Sequence, residues 1–241
     1  MIEMIGGSPD ETLLALAHHV GFTIDSPAPG LDPPFWKEGH LRVFITHLTA
    51  HQKYAGELKD SLDNFGFSSF VAHTAIHPTK EWQNEIETAL ATCEVMIALL
   101  HKGFNESEWT DQEVGFAMGR GLLAFYVLFD QKPYGFISRF QAFNGNGKST
   151  DELAQEIFDV FRSHKQTQRR MSEILVSRFE NSHSFQNAKE NMKLLEELDQ
   201  WNKRYSERIS KAVESNSQIS GSWGVPARVK TLIKGWEAKG V

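Results

Sequence analysis

The chain alternates short apolar runs with stretches in which apolar residues recur every three or four positions. Leu41-Arg-Val-Phe-Ile-Thr46 is a β-branched apolar run that predicts a buried strand. Tyr54, Leu58, Leu62 and Phe65 follow at helical spacing, with Gly66 placed to end that helix. Phe67 to Val71 predicts a second strand, and Ala72 to Lys80, with Pro78 and no apolar period, a loop. A helix is expected after Thr79, a good N-cap, with Trp82, Ile86 and Leu90 along one face. Val95-Met-Ile-Ala-Leu-Leu100 is apolar throughout, as a strand covered on both faces must be. A polar loop to Glu108 leads to a helix from about Trp109 to Gly119. Leu122 to Leu128 then predicts a fourth strand, and Asp151 to Phe161 a helix behind the turn-rich segment Asn144 to Thr150.

Strands alternating with single helices predict an α/β fold, a parallel sheet with helices on both faces. Ligands of such sheets sit beyond the carboxyl ends of the strands, so the loops after Ile45, Val71 and Leu100 are the ones to search. Both ends of the chain read as helical. Asp10 to Val20, with Leu13, Leu14, Leu16 and Ala17, predicts one helix packed on the domain. Residues 167–237 predict three or four more, marked by Ile174/Val176/Phe179, Met192/Leu195/Leu198, Trp201/Tyr205/Ile209/Val213 and Val229/Ile233/Trp236.

Charge divides the chain as the pattern does. Residues 1–161 hold 10 Lys/Arg against 22 Asp/Glu, net −12, while residues 162–241 hold 15 against 9, net +6. With the Pro-rich stretch from Ser26 to Pro34, this sets three expected parts: 1–36, 37–163 and 164–241. An apolar share of 40% excludes a disordered chain, and a single cysteine, Cys93, excludes an internal disulfide and fits a reducing cytoplasm. The longest apolar run, Leu122 to Phe129, is far short of the ~20 residues of a membrane span, and Met1 to Thr12 has no signal-peptide pattern. A soluble cytoplasmic protein is the expectation.

Several motifs carry little chemistry. Gly147-Lys148-Ser149 resembles the end of a phosphate-binding loop, but position 142 is Ala where that loop needs Gly, so the segment is a turn. The pairs His47/His51 and His73/His77 fall at loop edges without the third ligand that metal binding needs, and no metal is expected. Lys and Arg in the basic tail are interleaved with Glu on amphipathic helices, which speaks against nucleic acid as a partner. Glu113 has two open readings. Thr110-Asp-Gln-Glu113 has capping-box spacing, in which Glu113 folds back on the Thr110 amide. Alternatively, its carboxylate projects into the crevice.

A set of motifs in register bears on that choice: Val43-Phe-Ile-Thr-His47, Ala72-His-Thr-Ala-Ile-His-Pro-Thr-Lys-Glu-Trp82, Ala91-Thr-Cys-Glu-Val-Met-Ile-Ala-Leu-Leu100 and Ser107-x-Trp109-x-x-x-Glu113. Over roughly residues 41–145 the chain resembles the Toll/interleukin-1 receptor (TIR) domain of the bacterial type. The resemblance implies a flavodoxin-like α/β fold for residues 37–163, with 1–36 and 164–241 as helical additions. It implies cleavage of the nicotinamide–ribose bond of NAD⁺, with Glu113 catalytic and NAD⁺ as substrate, no cofactor being required. It further implies substrate contacts from Thr46, His47, Trp82, Ser107 and Trp109. Self-association through TIR contacts, a role in Thoeris-like anti-phage defence and a downstream effector that senses an ADP-ribose-derived product also follow from the resemblance. Adaptor members of the family lack this Glu and only assemble, so a non-catalytic scaffold is the alternative.

One carboxylate suffices for this chemistry. Nicotinamide departs as a neutral molecule needing no proton, whereas glycosidases use a second carboxyl to protonate the leaving oxygen. A lone anion then stabilises the oxocarbenium-like charge. Read as a first-turn residue, Glu113 is expected to be held ionised by the helix dipole.

Overall fold

A computed structural model describes residues 33–72, 80–198 and 200–238. Five strands form one parallel sheet: β1 (Leu41–Thr46), β2 (Phe67–Val71), β3 (Val95–Leu100), β4 (Leu123–Leu128) and β5 (Phe143–Asn144), in the order β2-β1-β3-β4-β5. This is the flavodoxin-like α/β arrangement, whose direction of winding reverses between β1 and β3. Helix α1 (Gln52–Asp63) follows β1, α2 (Lys80–Thr92) follows β2, α3 (Glu108–Gly119) follows β3 and α4 (Thr150–Ser163) follows β5. The helix expected over Asp10 to Val20 lies outside the described residues.

Alternation along the central strands sorts side chains between two layers. Val43, Ile45, Val95, Ile97, Leu99, Phe125 and Val127 point to one face, where α1 and α4 bury Leu58, Leu62, Ile157, Phe158 and Phe161. Phe44, Met96, Ala98, Leu100 and Tyr126 point to the other, against Ile86, Ala89 and Leu90 of α2 and Val114 and Ala117 of α3. A strand sandwiched this way must be apolar at every position, and all six residues of β3 are buried.

The remaining helices are α5 (Gln168–Glu180), α6 (Phe185–Glu196), α7 (Lys203–Ser215), the single turn α8 (Ser217–Ser220) and α9 (Val225–Ala238). Four long helices match the four apolar periods; α8 is additional. The hydrophobic cluster on the α1/α4 face continues without a break into them, from Phe158 and Phe161 through Met171, Ile174 and Phe179 to Met192, Ile209 and Trp236. The expected boundary at Ser163 therefore falls at a chain turn inside one shared core.

Helix α5 packs across the amino ends of the strands. Arg170 pairs with Glu94 at 2.9 Å and donates to the His40 carbonyl oxygen, and Arg178 meets His40 Nε2 and the Asn64 carbonyl oxygen. Gly66, at φ +86°, lets α5 approach closely: a Cβ there would stand 2.9 Å from Ile174 Cγ2. At the other end of the chain's α/β half, Ser149 and Glu152 form a capping box that starts α4, with Gly147 in the turn before it.

Candidate active site

The site lies where α3 begins, beneath the carboxyl ends of β1 and β3. Ser107 is the N-cap of α3, its hydroxyl accepting from the Thr110 amide, so Glu108 opens the helix. Of the two readings of Glu113, the capping box at Thr110 is thereby excluded: the Thr110 hydroxyl donates to the Phe104 carbonyl oxygen at 2.7 Å, the Thr110 amide to Ser107, and Glu113 does not fold back on it. Ser107 lies three residues before Thr110 and competes for the same amide, and a cap there starts the helix earlier.

Glu113 is consequently the sixth residue of α3, in its second turn, and only 5% exposed. This also corrects the expectation that the helix dipole holds it ionised, because that effect fades within the first turn. Burial instead pushes its carboxyl up to about 7, against a smaller opposing pull from the Thr46 hydroxyl. Thr46 ends β1 fully buried, its hydroxyl makes no hydrogen bond of full geometry among the described residues, and it stands close enough to Glu113 to favour the charged form.

Glu113 sits in a cavity of about 90 Å³ whose other walls include His47, Thr49, Ser107, Trp109 and Thr110. His47 is buried, with Nδ1 3.3 Å from the Ile45 carbonyl oxygen. Trp109, one turn before Glu113, is 44% exposed at the mouth. A second cavity of about 70 Å³, lined by Leu90, Gln112 and Phe116, shares Ile86, Trp109 and Glu113 with the first. Of the residues expected at the site, Thr46, His47, Ser107, Trp109 and Glu113 are thus together. Trp82 lies in the first turn of α2, but its side chain is outside the described residues, as are His73 and His77.

The sequence reading passed over His101. This residue follows β3, in one of the loops flagged for search, and its imidazole stacks on His51 (centroids 3.4 Å apart, 7° between planes) and on Phe129 (4.0 Å, 10°). Burial, then the neighbouring His51, pushes its pKa down to about 4, although Asp130 opposes, so the ring is neutral at physiological pH. Asp111 of α3 is hydrogen-bonded by the Tyr134 hydroxyl, which ties the solvent side of the helix to the loop after β4. Among the described residues no group of three or more His, Cys, Asp or Glu side chains is arranged to hold a metal ion. No described helix is long and apolar enough to cross a membrane.

Residues 43–158 match a family model described as the TIR domain. No curated protein matches the chain.

Proposed function

A TIR domain occupies residues 43–158, and from that premise we propose that the protein cleaves the nicotinamide–ribose bond of NAD⁺ with Glu113 as its catalytic residue. The observation that carries this reading is a buried carboxyl with a raised pKa in a cavity sized for one aromatic ring. The cavity is well below the ~300 Å³ of a whole-ligand pocket, so it takes the nicotinamide end while the rest of the dinucleotide lies outside.

A cationic nicotinamide ring beside Glu113 draws the carboxyl into its ionised form. As the C1′–N1 bond breaks, the electron pair leaves with nicotinamide and positive charge develops at C1′, where the carboxylate stabilises it in a site shielded from water. Water, or a nucleophile of the substrate itself, then bonds to C1′ and releases a proton, giving ADP-ribose or a cyclic or conjugated derivative. Trp109 offers a ring face at the mouth, and the Thr46 hydroxyl a donor beside the carboxylate. The proposal extends to a role in bacterial anti-phage defence, with self-association through TIR contacts and an effector that reads the product.

The test is nicotinamide release from NAD⁺ followed by chromatography. Wild-type protein releases it, and Glu113→Gln lowers kcat by about 10²–10³, the usual worth of one preorganised electrostatic group. No release by concentrated wild-type protein, or equal release by the variant, overturns the assignment and favours a scaffold.

A further inference from the structure

The most unusual surface residue is far from Glu113. Trp223, in the turn between α8 and α9, is 91% exposed, although its neighbours are firmly held: Ser222 is 1% exposed and donates its hydroxyl to the Phe185 carbonyl oxygen, and Val225 is fully buried. Gly224, at φ +84°, completes the turn. A fixed turn thus presents an indole to solvent, with the half-exposed ring of Phe185 against the same turn at Gly221. Lys230 and Lys234 are exposed along α9, and Lys189 and Lys193 follow Phe185 on α6 at helical spacing. None of these four is in an ion pair among the described residues. An exposed aromatic anchor is a common centre of a binding hot spot, and lysines around it steer an anionic partner toward it.

We infer that this corner of the helical half docks on the acidic α/β half of a second copy of the chain. Charge selects that occupant. Residues 162–241 carry +6, while the α/β half, residues 37–161, holds 10 Lys/Arg against 17 Asp/Glu, net −7, so every copy brings both a cationic and an anionic partner surface. An anionic membrane is disfavoured by the net charge of −6 on the whole molecule. Among the described residues nothing of its own chain covers the indole, which leaves it open to a neighbouring molecule. A contact between unlike surfaces is heterologous and propagates head to tail, closing into a ring or extending as a filament. It is separate from any contact between two TIR domains and independent of the reaction proposed above.

Sedimentation velocity of the full chain, from micromolar to several hundred micromolar at low and high salt, tests the inference. Expected is a mass that rises with concentration and falls with salt, with that salt-sensitive growth lost in Trp223→Ser and in Lys230→Glu/Lys234→Glu. The Trp223→Ser substitution should weaken association at least about thirty-fold, with an unchanged thermal melt because the ring is 91% exposed. A monomeric wild type, or association indifferent to Trp223→Ser, overturns it. So does Trp223-dependent binding to phosphatidylserine vesicles without self-association, which assigns the corner to a membrane instead.

Discussion

The two edges of the sheet are finished in opposite ways. At the amino edge α5 lies across the strand ends, and most polar groups there are matched: Arg170 to Glu94, Arg178 through its terminal nitrogens to His40 and Asn64, with only its Nε left over, and the Glu94 carboxylate to the Arg42 amide. At the carboxyl edge a carboxyl is buried with its pKa raised, a threonine hydroxyl is left without a full hydrogen bond, an imidazole is held neutral, and an indole stands half in solvent. Matched groups stabilise a fold but have nothing left for a ligand. Groups that cost stability in the empty protein are the ones a substrate can satisfy, which is why the chemistry is assigned to the carboxyl edge.

The contrast can be broken in a definite order. Phe161, fully buried where the sheet meets the C-terminal helices, should cost about 3–5 kcal/mol as Phe161→Ala. Calorimetry should show one transition at lower temperature; two separate transitions would mean that the halves are independent. Next comes the linkage of stability to pH at Glu113. Folding raises this carboxyl from 4.5 to about 7, so the native state binds a proton that the unfolded chain has lost, and stability falls as pH rises through that window by about 3 kcal/mol. His101, depressed from 6.5 to about 4, acts oppositely, losing stability as pH falls through its own range. Denaturant titrations of wild type and Glu113→Gln isolate the first effect: the stability gap should shift in favour of Gln between pH 4.5 and 7. A constant gap would show that Glu113 is not buried as described.

A smaller effect is expected at the amino edge from Gly66→Ala, which combines a left-handed backbone with the 2.9 Å approach to Ile174 and should cost about 1–3 kcal/mol in chemical denaturation. Smallest is Arg170→Ala. Its ion pair is about a third exposed, so a loss of only about 0.2–1 kcal/mol, diminished further by salt, is expected. If Arg170→Ala instead changed nicotinamide release, the division of labour between the edges would fail.

Periodicity made most of the fold legible because each main element buries a continuous face: β3 through its unbroken apolar run, α1 through Leu58 and Leu62. Strand β5 escaped because its two residues, Phe143 and Asn144, are both exposed and carry no alternation. The single-turn helices Thr49–His51, Phe104–Glu106 and Gly135–Arg139 are too short to leave a period. At the site, spacing and resemblance located Glu113 but not its state, since its pKa depends on how deep the helix places it. That depth turned on whether Ser107 or Thr110 takes the cap. The rings of His51, His101 and Phe129 meet only through the fold, from three different loops, so no local pattern could show them.

That ring stack has a mechanical consequence. Hydrogen bonds and ion pairs hold their partners at set distances and angles, and they break when those are exceeded. Flat rings attract one another over a range of lateral offsets, so the His51 imidazole keeps its contact with His101 through small displacements, while the loops after β3 and β4 are fixed to each other by the Phe129 and Gln131 amides on the Leu100 carbonyl oxygen and by the Lys102 amide on Asp130. The stack thus adds a forgiving contact beside a bolted pair: it gathers three loops into one layer around the crevice without demanding an exact placement of the first.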